Sequence, residues 1–128
     1  MFRKTLEEFM NDNQEKLMID LRARADFEKE TYPGALHIYH KEFYRYIDIL
    51  PKNKKIYVFC YTGVTGDEIA EDLSLKGYDI YSIENGYRDI MRMNVHHMME
   101  ESQNRTEAVR GRYAGTESVR FGKSAQKI

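Results

Sequence analysis

Residues 56–66 read IYVFCYTGVTG, and the fold can be worked out from this stretch. Its first four residues are all β-branched or aromatic, a pattern typical of a strand buried on both faces of a parallel sheet. A short loop with two glycines follows, and residues 67–76 then repeat apolar positions at helical spacing before Gly77. The pattern predicts a strand, a loop and a helix, with Cys60 at the junction of strand and loop.

Strands and helices alternate on either side of this stretch. Predicted strands cover residues 17–21, 35–38, 56–59 and 78–83, and predicted helical segments cover residues 6–11, 25–30, 42–50, 67–76 and 87–99. Such alternation indicates an α/β fold with a mainly parallel sheet covered by helices on both faces. Residues 1–99 form the predicted domain. Residues 100–128, which are poor in apolar residues and interrupted by glycine, are predicted to be a flexible or partly helical tail.

Composition narrows the classes of partner. A chain of 128 residues is the usual size of one domain, and 20 basic against 21 acidic residues leave no overall field for nucleic acid or an anionic membrane. The first residues lack a signal-type apolar stretch, and no run approaches the roughly 20 apolar residues of a membrane helix. We therefore expect a cytoplasmic protein with neither nucleic acid nor membrane as partner.

The chain has one cysteine, so it cannot form an intramolecular disulfide. A metal site is not expected, because adjacent histidines such as His96 and His97 point in different directions on a helix. The thiol of Cys60 could pack inertly in the core, pair with another molecule, or react.

The position of Cys60 favours reactivity. Ligands of open parallel sheets bind beyond the carboxyl ends of the strands, where loops lead into helix N-termini. Gly63 and Gly66 would let main-chain N–H groups turn toward one point, and the dipole of the next helix adds partial positive charge. This arrangement would stabilise an anion, such as a thiolate or a persulfide, and favour nucleophilic attack by the sulfur.

The sequence resembles the rhodanese family of sulfurtransferases in its single-domain form. The resemblance runs from about Leu17 to Ile90 and rests on the order and spacing of several short segments. These are Ile19-Asp20-Leu21-Arg22, Asp26-Phe27, Tyr32-Pro33-Gly34-Ala35, the strand ending in Cys60 with its loop, and Gly77-Tyr78-Asp79-Ile80-Tyr81. The resemblance implies a rhodanese-like, mostly parallel five-stranded sheet flanked by helices on both faces. The strand that the pattern lacks would lie in or near the first twenty residues.

The family chemistry implies a role for each matching residue. Cys60 would attack a sulfane sulfur, become a persulfide, and pass that sulfur to a thiol, cyanide or a protein acceptor, without a cofactor. The main-chain amides of residues 61–65 would hold the persulfide, in a site loop made of Tyr61, Thr62, Gly63, Val64, Thr65 and Gly66. Asp20 and Arg22 match positions that support the fold near the site, and Arg22 could pair with Asp26.

The loop departs from many relatives in its charge. Tyr61 and Thr65 stand where arginines are frequent, so the loop has no cationic side chain unless Arg88 or Arg92 reaches across. We therefore expect weak use of thiosulfate, and a persulfidated thiol or protein as the sulfur donor.

Two other functions compete with this one. A phosphatase or arsenate reductase of related fold needs an arginine six residues after the cysteine, and Gly66 occupies that position. A rhodanese-like domain without turnover could instead serve as a binding or sulfur-sensing module. The presence of Cys60 argues against a pure binding module, because binding does not require a thiol.

Overall fold

The computed structural model describes residues 2–112, with side chains described through residue 104. The strands are β1 (Arg3–Lys4), β2 (Lys16–Asp20), β3 (Leu36–His37), β4 (Lys55–Phe59) and β5 (Ile80–Ile83). The helices are α1 (Leu6–Asn11), α2 (Arg24–Lys29), a 3₁₀ helix (His40–Ile49), α3 (Val64–Leu75) and α4 (Tyr87–Arg112). The chain divides into two compact units, residues 1–92 and residues 93–128.

The five strands form one sheet in the order β1-β5-β4-β2-β3. Every strand pairing among the described residues is parallel, so the predicted α/β fold with a mostly parallel five-stranded sheet is confirmed. Asp20 of β2 pairs with Phe59 of β4, and Val58 of β4 pairs with Ser82 of β5. The carboxyl ends of β2, β4 and β5 therefore lie side by side at one edge of the sheet.

Strand β4 is buried on both faces, as its sequence predicts. Ile56 and Val58 belong to an apolar core shared with buried residues of α3 and the 3₁₀ helix. Tyr57 points to the other face, where its ring meets Phe9 of α1 edge-on with the centroids 4.7 Å apart. Because side chains alternate along a strand, one continuous apolar run supplies two cores.

The fifth strand lies at the N-terminus, where the family resemblance placed it. β1 has only two residues, which pair with Ser82 and Ile83 of β5. Helix α1 begins directly afterwards, and Thr5 is its N-cap. The hydroxyl of Thr5 accepts the Glu8 N–H at 3.0 Å, and the Glu8 carboxylate accepts the Thr5 N–H at 2.9 Å.

Three helices differ from their predicted form or, by several residues, from their predicted bounds. The helix predicted at residues 67–76 is α3 over Val64–Leu75, so residues 64–66 of the predicted loop belong to its first turn. The helix predicted at residues 42–50 is a 3₁₀ helix over His40–Ile49. Its second half contains Tyr46, Ile47 and Ile49, whose side chains lose rotamer freedom in an α-helix. The Tyr78 hydroxyl also donates to the Ile47 carbonyl at 2.9 Å. Helix α4 continues to Arg112, well beyond the predicted end near Met99.

The second compact unit contains the later part of α4. In the described part of this unit, His96 Nε2 lies 3.2 Å from Glu100 Oε2, one helical turn away. The tail predicted for residues 100–128 is helical as far as Arg112. Its remainder, residues 113–128, lies outside the described residues.

Candidate active site

Strand β4 delivers Cys60 to the edge of the sheet with its main chain held on two sides. The Phe59 carbonyl accepts the Leu21 N–H at 2.8 Å, and the Cys60 carbonyl accepts the Tyr87 N–H at 2.7 Å. Cys60 is only 4 % exposed. Its sulfur is therefore placed by the segments that follow β2 and β5 as well as by its own strand.

Two main-chain N–H groups donate to the Cys60 sulfur. Gly63 N lies 3.1 Å from Sγ, and Gly66 N lies 3.3 Å from it. Gly63 adopts a left-handed conformation with φ +105°, which a residue without Cβ reaches at no steric cost. Two main-chain dipoles therefore converge on the sulfur. The resemblance assigned the amides of residues 61–65 to this role, and Gly66 lies just beyond that range.

Both donors belong to the N-terminus of α3. The first four N–H groups of an α-helix have no partner within the helix, and Gly63, as the N-cap, and Gly66 supply two of them here. The first bond within the helix runs from Asp67 N to Gly63 O at 2.9 Å. The other two free donors are the N–H groups of Val64 and Thr65, which have no hydrogen-bond partner among the described residues.

The rim of the loop is neutral. Tyr61 is 49 % exposed and Val64 is 63 % exposed, and Thr62 is exposed between them. The Tyr61 hydroxyl donates to the Asp26 carboxylate. The outward face of the loop is therefore made of an aromatic ring, a hydroxyl and an aliphatic side chain.

Within residues 2–104, the two arginines that follow β5, Arg88 and Arg92, do not pair with the neutral rim of the loop. Arg88 is exposed, and the guanidinium of Arg92 pairs with Asp89 at 3.4 Å. In the described part of the chain, neither guanidinium has a hydrogen bond or ion pair with the loop. Among the described residues, Arg88 and Arg92 therefore do not compensate the loop's lack of a cation through a hydrogen bond or an ion pair.

A buried ion pair lies beside the loop, at the end of β2. Asp20 is fully buried and Arg22 is 3 % exposed. Arg22 Nε lies 3.1 Å from Asp20 Oδ1, and Nη2 lies 2.9 Å from Oδ2. The main-chain N–H of Arg22 also donates to Asp20 Oδ1 at 2.9 Å, and the Thr31 hydroxyl donates to Oδ2 at 2.8 Å. The carboxylate is therefore held by three different donor groups.

Nη2 of Arg22 also donates to main-chain carbonyls. Nη2 lies 2.6 Å from the Glu30 carbonyl oxygen and 3.4 Å from that of Asp26. The ion pair suggested between Arg22 and Asp26 is therefore wrong in detail, because Asp26 offers its carbonyl and not its carboxylate. Arg22 pairs instead with the carboxylate of Asp20, two residues away, because both oxygens of that carboxylate face the guanidinium.

The segment after β5 connects the loop with this ion pair. The Tyr87 ring lies 3.8 Å from the Arg22 guanidinium, and the Tyr87 hydroxyl donates to the Glu30 carboxylate. Burial and this hydrogen bond raise the pKa of Tyr87 to about 12. Gly86 packs so closely that a Cβ there would lie 2.4 Å from the Cys60 carbonyl oxygen. Gly86 does not stand out in the sequence, because only the pairing of β4 with β5 brings it next to Cys60.

This arrangement agrees with the comparison against known families. A family model described as "Rhodanese-like domain" matches residues 3–93. The chain belongs to the rhodanese-like domain family.

Curated relatives of this rhodanese-like domain include named sulfurtransferases. A thiosulfate sulfurtransferase GlpE of Glaesserella parasuis is 25 % identical over 84 residues, which cover 65 % of this chain and 78 % of the relative. A tRNA sulfurtransferase of Desulfurococcus amylolyticus is 29 % identical over 72 residues, which cover 56 % of this chain. The match spans only 14 % of that longer relative.

Solved structures agree with the fold. A rhodanese-related protein from Thermoplasma volcanium superposes with a TM-score of 0.67 at 19 % identity, covering 73 % of this chain and 93 % of the other. A rhodanese-like domain protein from Staphylococcus aureus gives a TM-score of 0.61 at 22 % identity, covering 69 % and 89 %. At these identities the likeness concerns the fold alone.

No group of three or more histidine, cysteine, aspartate or glutamate side chains in the described part of the chain is arranged to hold a metal ion. None of the helices described is both long enough and apolar enough to cross a membrane.

Proposed function

We propose that this rhodanese-like domain is a sulfurtransferase that carries sulfur as a persulfide on Cys60. The observation that carries the proposal is the pair of N–H groups, from Gly63 and Gly66, that donate to Sγ. Hydrogen bonds to a charged sulfur are stronger than those to a neutral thiol, so this geometry favours the thiolate, which is the nucleophilic form. The sulfurtransferase names of the curated relatives support the same class of reaction.

The proposed reaction has two steps. In the first, the Cys60 thiolate attacks the outer sulfur of a donor persulfide. A new bond forms between Sγ and that sulfur, and the donor's own S–S bond breaks. The electron pair of the broken bond leaves with the donor thiolate. In the second step an acceptor thiolate attacks the outer sulfur on Cys60, and the electron pair of that S–S bond returns to Sγ, so no net oxidation of the protein occurs.

The structure suggests where the extra sulfur is held. The N–H groups of Val64 and Thr65 come from the same helical turn as those that hold Sγ, and they have no partner among the described residues. The outer sulfur of a Cys60 persulfide is an anion next to this positive helix end. We assign these two amides to the outer sulfur, which gives each sulfur of the persulfide two main-chain donors.

The neutral rim bears on the choice of donor. Thiosulfate is a dianion, and the loop meets it with a tyrosine, a threonine and a valine instead of a guanidinium. A persulfidated thiol carries a single negative charge at its reacting end, and main-chain dipoles suffice to hold it. We therefore propose a low-molecular-mass persulfide or a persulfidated protein as the donor, and a thiol of a small molecule or a protein as the acceptor.

The test is the mass of the intact protein after treatment with a donor. Cys60 is the only cysteine, so one added sulfur atom has a single thiol on which to reside. We expect that gain with glutathione persulfide, a smaller gain with thiosulfate, and none for Cys60→Ser. A gain by Cys60→Ser would place the sulfur elsewhere, and equal loading by both donors would contradict the proposed preference.

The same neutral rim favours a second function, a rhodanese-like module that binds a partner or senses sulfur without turnover. The 4 % exposure of Cys60 also fits a module that does not exchange sulfur rapidly. No sulfur gain with either donor would support this function over the enzyme. Sulfur gain without release to an excess of acceptor thiol would support a sensor.

A further inference from the structure

Ser82 is a buried polar residue that the site described so far does not use. It lies in the middle of β5 and is fully buried. Its hydroxyl has no hydrogen-bond partner among the described residues. A buried hydroxyl without a partner has lost its hydrogen bonds to water and gained none in return, which destabilises the folded state. Such an atom is unusual in a native core and calls for a physical reason.

The register of the sheet places Ser82 beside Cys60. Ser82 pairs with Val58 of the neighbouring strand, two residues before Cys60. Residues two apart in a strand point to the same face, and Val58 and Cys60 both belong to the core beneath α3. Ser82 follows Ile80 of that core by two residues, so its side chain faces α3 as well.

Gly66 brings the two side chains to one point. A Cβ on Gly66 would lie 2.8 Å from Ser82 Oγ and 3.8 Å from Cys60 Sγ. Gly66 is also one of the two residues whose N–H donates to Sγ. The unpaired hydroxyl therefore borders the same glycine that holds the reactive sulfur, and no ordinary side chain fits between them.

We infer that Ser82 supplies a third hydrogen-bond donor to Cys60 Sγ when the sulfur is negatively charged. A thiolate has lone pairs for more than two donors, and the Ser82 hydroxyl would reach it by rotation about the Cα–Cβ bond, since both side chains border Gly66. The hydroxyl would then lack a partner while the sulfur is neutral and gain one when the sulfur is an anion. The inference rests on the proposed function only in that Cys60 ionises during the reaction.

The experiment is the rate of Cys60 alkylation by iodoacetamide in the Ser82→Ala variant. A hydrogen bond to a charged group is worth about a tenfold change in an equilibrium constant, so we expect alkylation near pH 7 to be about tenfold slower than in the unchanged protein. At a pH where every thiol is ionised, the two rates should agree. At a pH low enough to keep the sulfur protonated, the thermal midpoint should stay equal or rise, because the variant then removes only an unpaired buried hydroxyl.

Ser74→Ala is the matched control, since it makes the same change at an exposed position of α3 and should leave the rate unchanged. Equal alkylation of Ser82→Ala and the unchanged protein near pH 7 would overturn the inference. An alkylation rate that is lower by the same factor at every pH would also overturn the inference, because that pattern indicates altered access of iodoacetamide to Cys60. Should Ser82→Ala fold poorly, Ser82→Gly provides the same comparison. Persulfide loading is a separate measurement, so its failure would count against the proposed function alone.

Discussion

The adjacent strands β2 and β4 end at the same edge of the sheet. The segments that follow them stabilise charge by different means. After β2, the buried carboxylate of Asp20 and the buried guanidinium of Arg22 neutralise each other. After β4, main-chain N–H groups of a neutral loop surround the sulfur of Cys60. The first region uses opposite side-chain charges, and the second uses oriented dipoles.

This difference distinguishes the region that supports the fold, after β2, from the region proposed to react, after β4. Arg22 is buried and directs Nε and Nη2 to Asp20 and to carbonyl groups, so these donors hold the fold together. Within the part of the chain that the structure describes, the N–H groups of Val64 and Thr65 have no hydrogen-bond partner. Tyr87 joins the regions, since its ring packs on Arg22 and its N–H donates to the Cys60 carbonyl. A buried ion pair therefore fixes the wall of the site, and the loop is left to bind the anion.

The largest expected effect comes from breaking the ion pair with Arg22→Met. Removing one partner of a buried pair leaves the other charge uncompensated and typically costs about 3–5 kcal/mol of unfolding free energy. Urea denaturation would measure the loss. Arg24→Met is the matched control, because the pair of Arg24 with Glu28 is exposed and such pairs contribute about 1 kcal/mol or less. Equal losses in the two variants would contradict a supporting role for the buried pair.

Gly86→Ala tests the contact between the loop and the segment after β5. The added Cβ would lie 2.4 Å from the Cys60 carbonyl oxygen and 3.0 Å from Gly63 N, so the main chain must move. Overpacking of this kind costs about 1–3 kcal/mol, in addition to about 1 kcal/mol for an L-residue at positive φ.

Gly34→Ala is the control for this variant. Gly34 also has a positive φ, +89°, but an added Cβ there meets nothing within 4 Å. It should therefore show only the backbone cost. Alkylation of Cys60 should change in Gly86→Ala and not in Gly34→Ala, and a variant of Gly86 that keeps both stability and alkylation would break the proposed connection.

Gly66→Ala should destabilise the fold by a smaller amount, about 1–2 kcal/mol, since the atom in the way is a side-chain oxygen. Combining it with Ser82→Ala removes that oxygen. The alanine at position 66 of α3 then favours the helix over glycine by about 1 kcal/mol. The double variant should therefore be more stable than Gly66→Ala alone. Thermal unfolding of all four proteins forms a double-mutant cycle, and strictly additive effects would show that the two residues do not interact.

The smallest predicted effect concerns the other end of β4. The Tyr57 hydroxyl, the Gln14 N–H and Lys55 hold the pKa of Asp12 well below its usual range. A lowered folded-state pKa stabilises the fold above the unfolded value of about 4 and loses that contribution as the pH falls below it. The difference in thermal midpoint between the unchanged protein and Asp12→Asn should be present at neutral pH and shrink in acid. A difference that stays constant would contradict this, and exposed Asp48→Asn serves as control.

Much of the fold follows from local patterns, and the exceptions have physical causes. Residues 56–66 predicted strand, loop and helix because burial, glycine and helical periodicity all lie within one stretch. Strand β1 could not be found in this way, because Arg3 and Lys4 have no apolar alternation and become a strand only by pairing with β5. The type of the helix at residues 40–49 also depends on contacts made by distant residues such as Tyr78.

The residues of the site likewise divide into those that are contiguous in the sequence and those that only the fold brings together. Cys60 and its loop could be predicted because a strand, its final cysteine and the following glycines are contiguous. Ser82 and Gly86 were missed because they approach Cys60 from the neighbouring strand, and only the register of β4 and β5 brings them together. A serine inside the apolar run Ile80–Ile83 was the one local sign that this position differs from an ordinary strand.

The most direct test of the central claim is how long Cys60 keeps a transferred sulfur, followed by intact mass in the folded protein and in the same protein unfolded in urea. We predict that the added sulfur is retained in the folded protein and is lost faster in the unfolded protein, because the main-chain donors at the start of α3 no longer hold it. Equal retention in the two states would contradict the account.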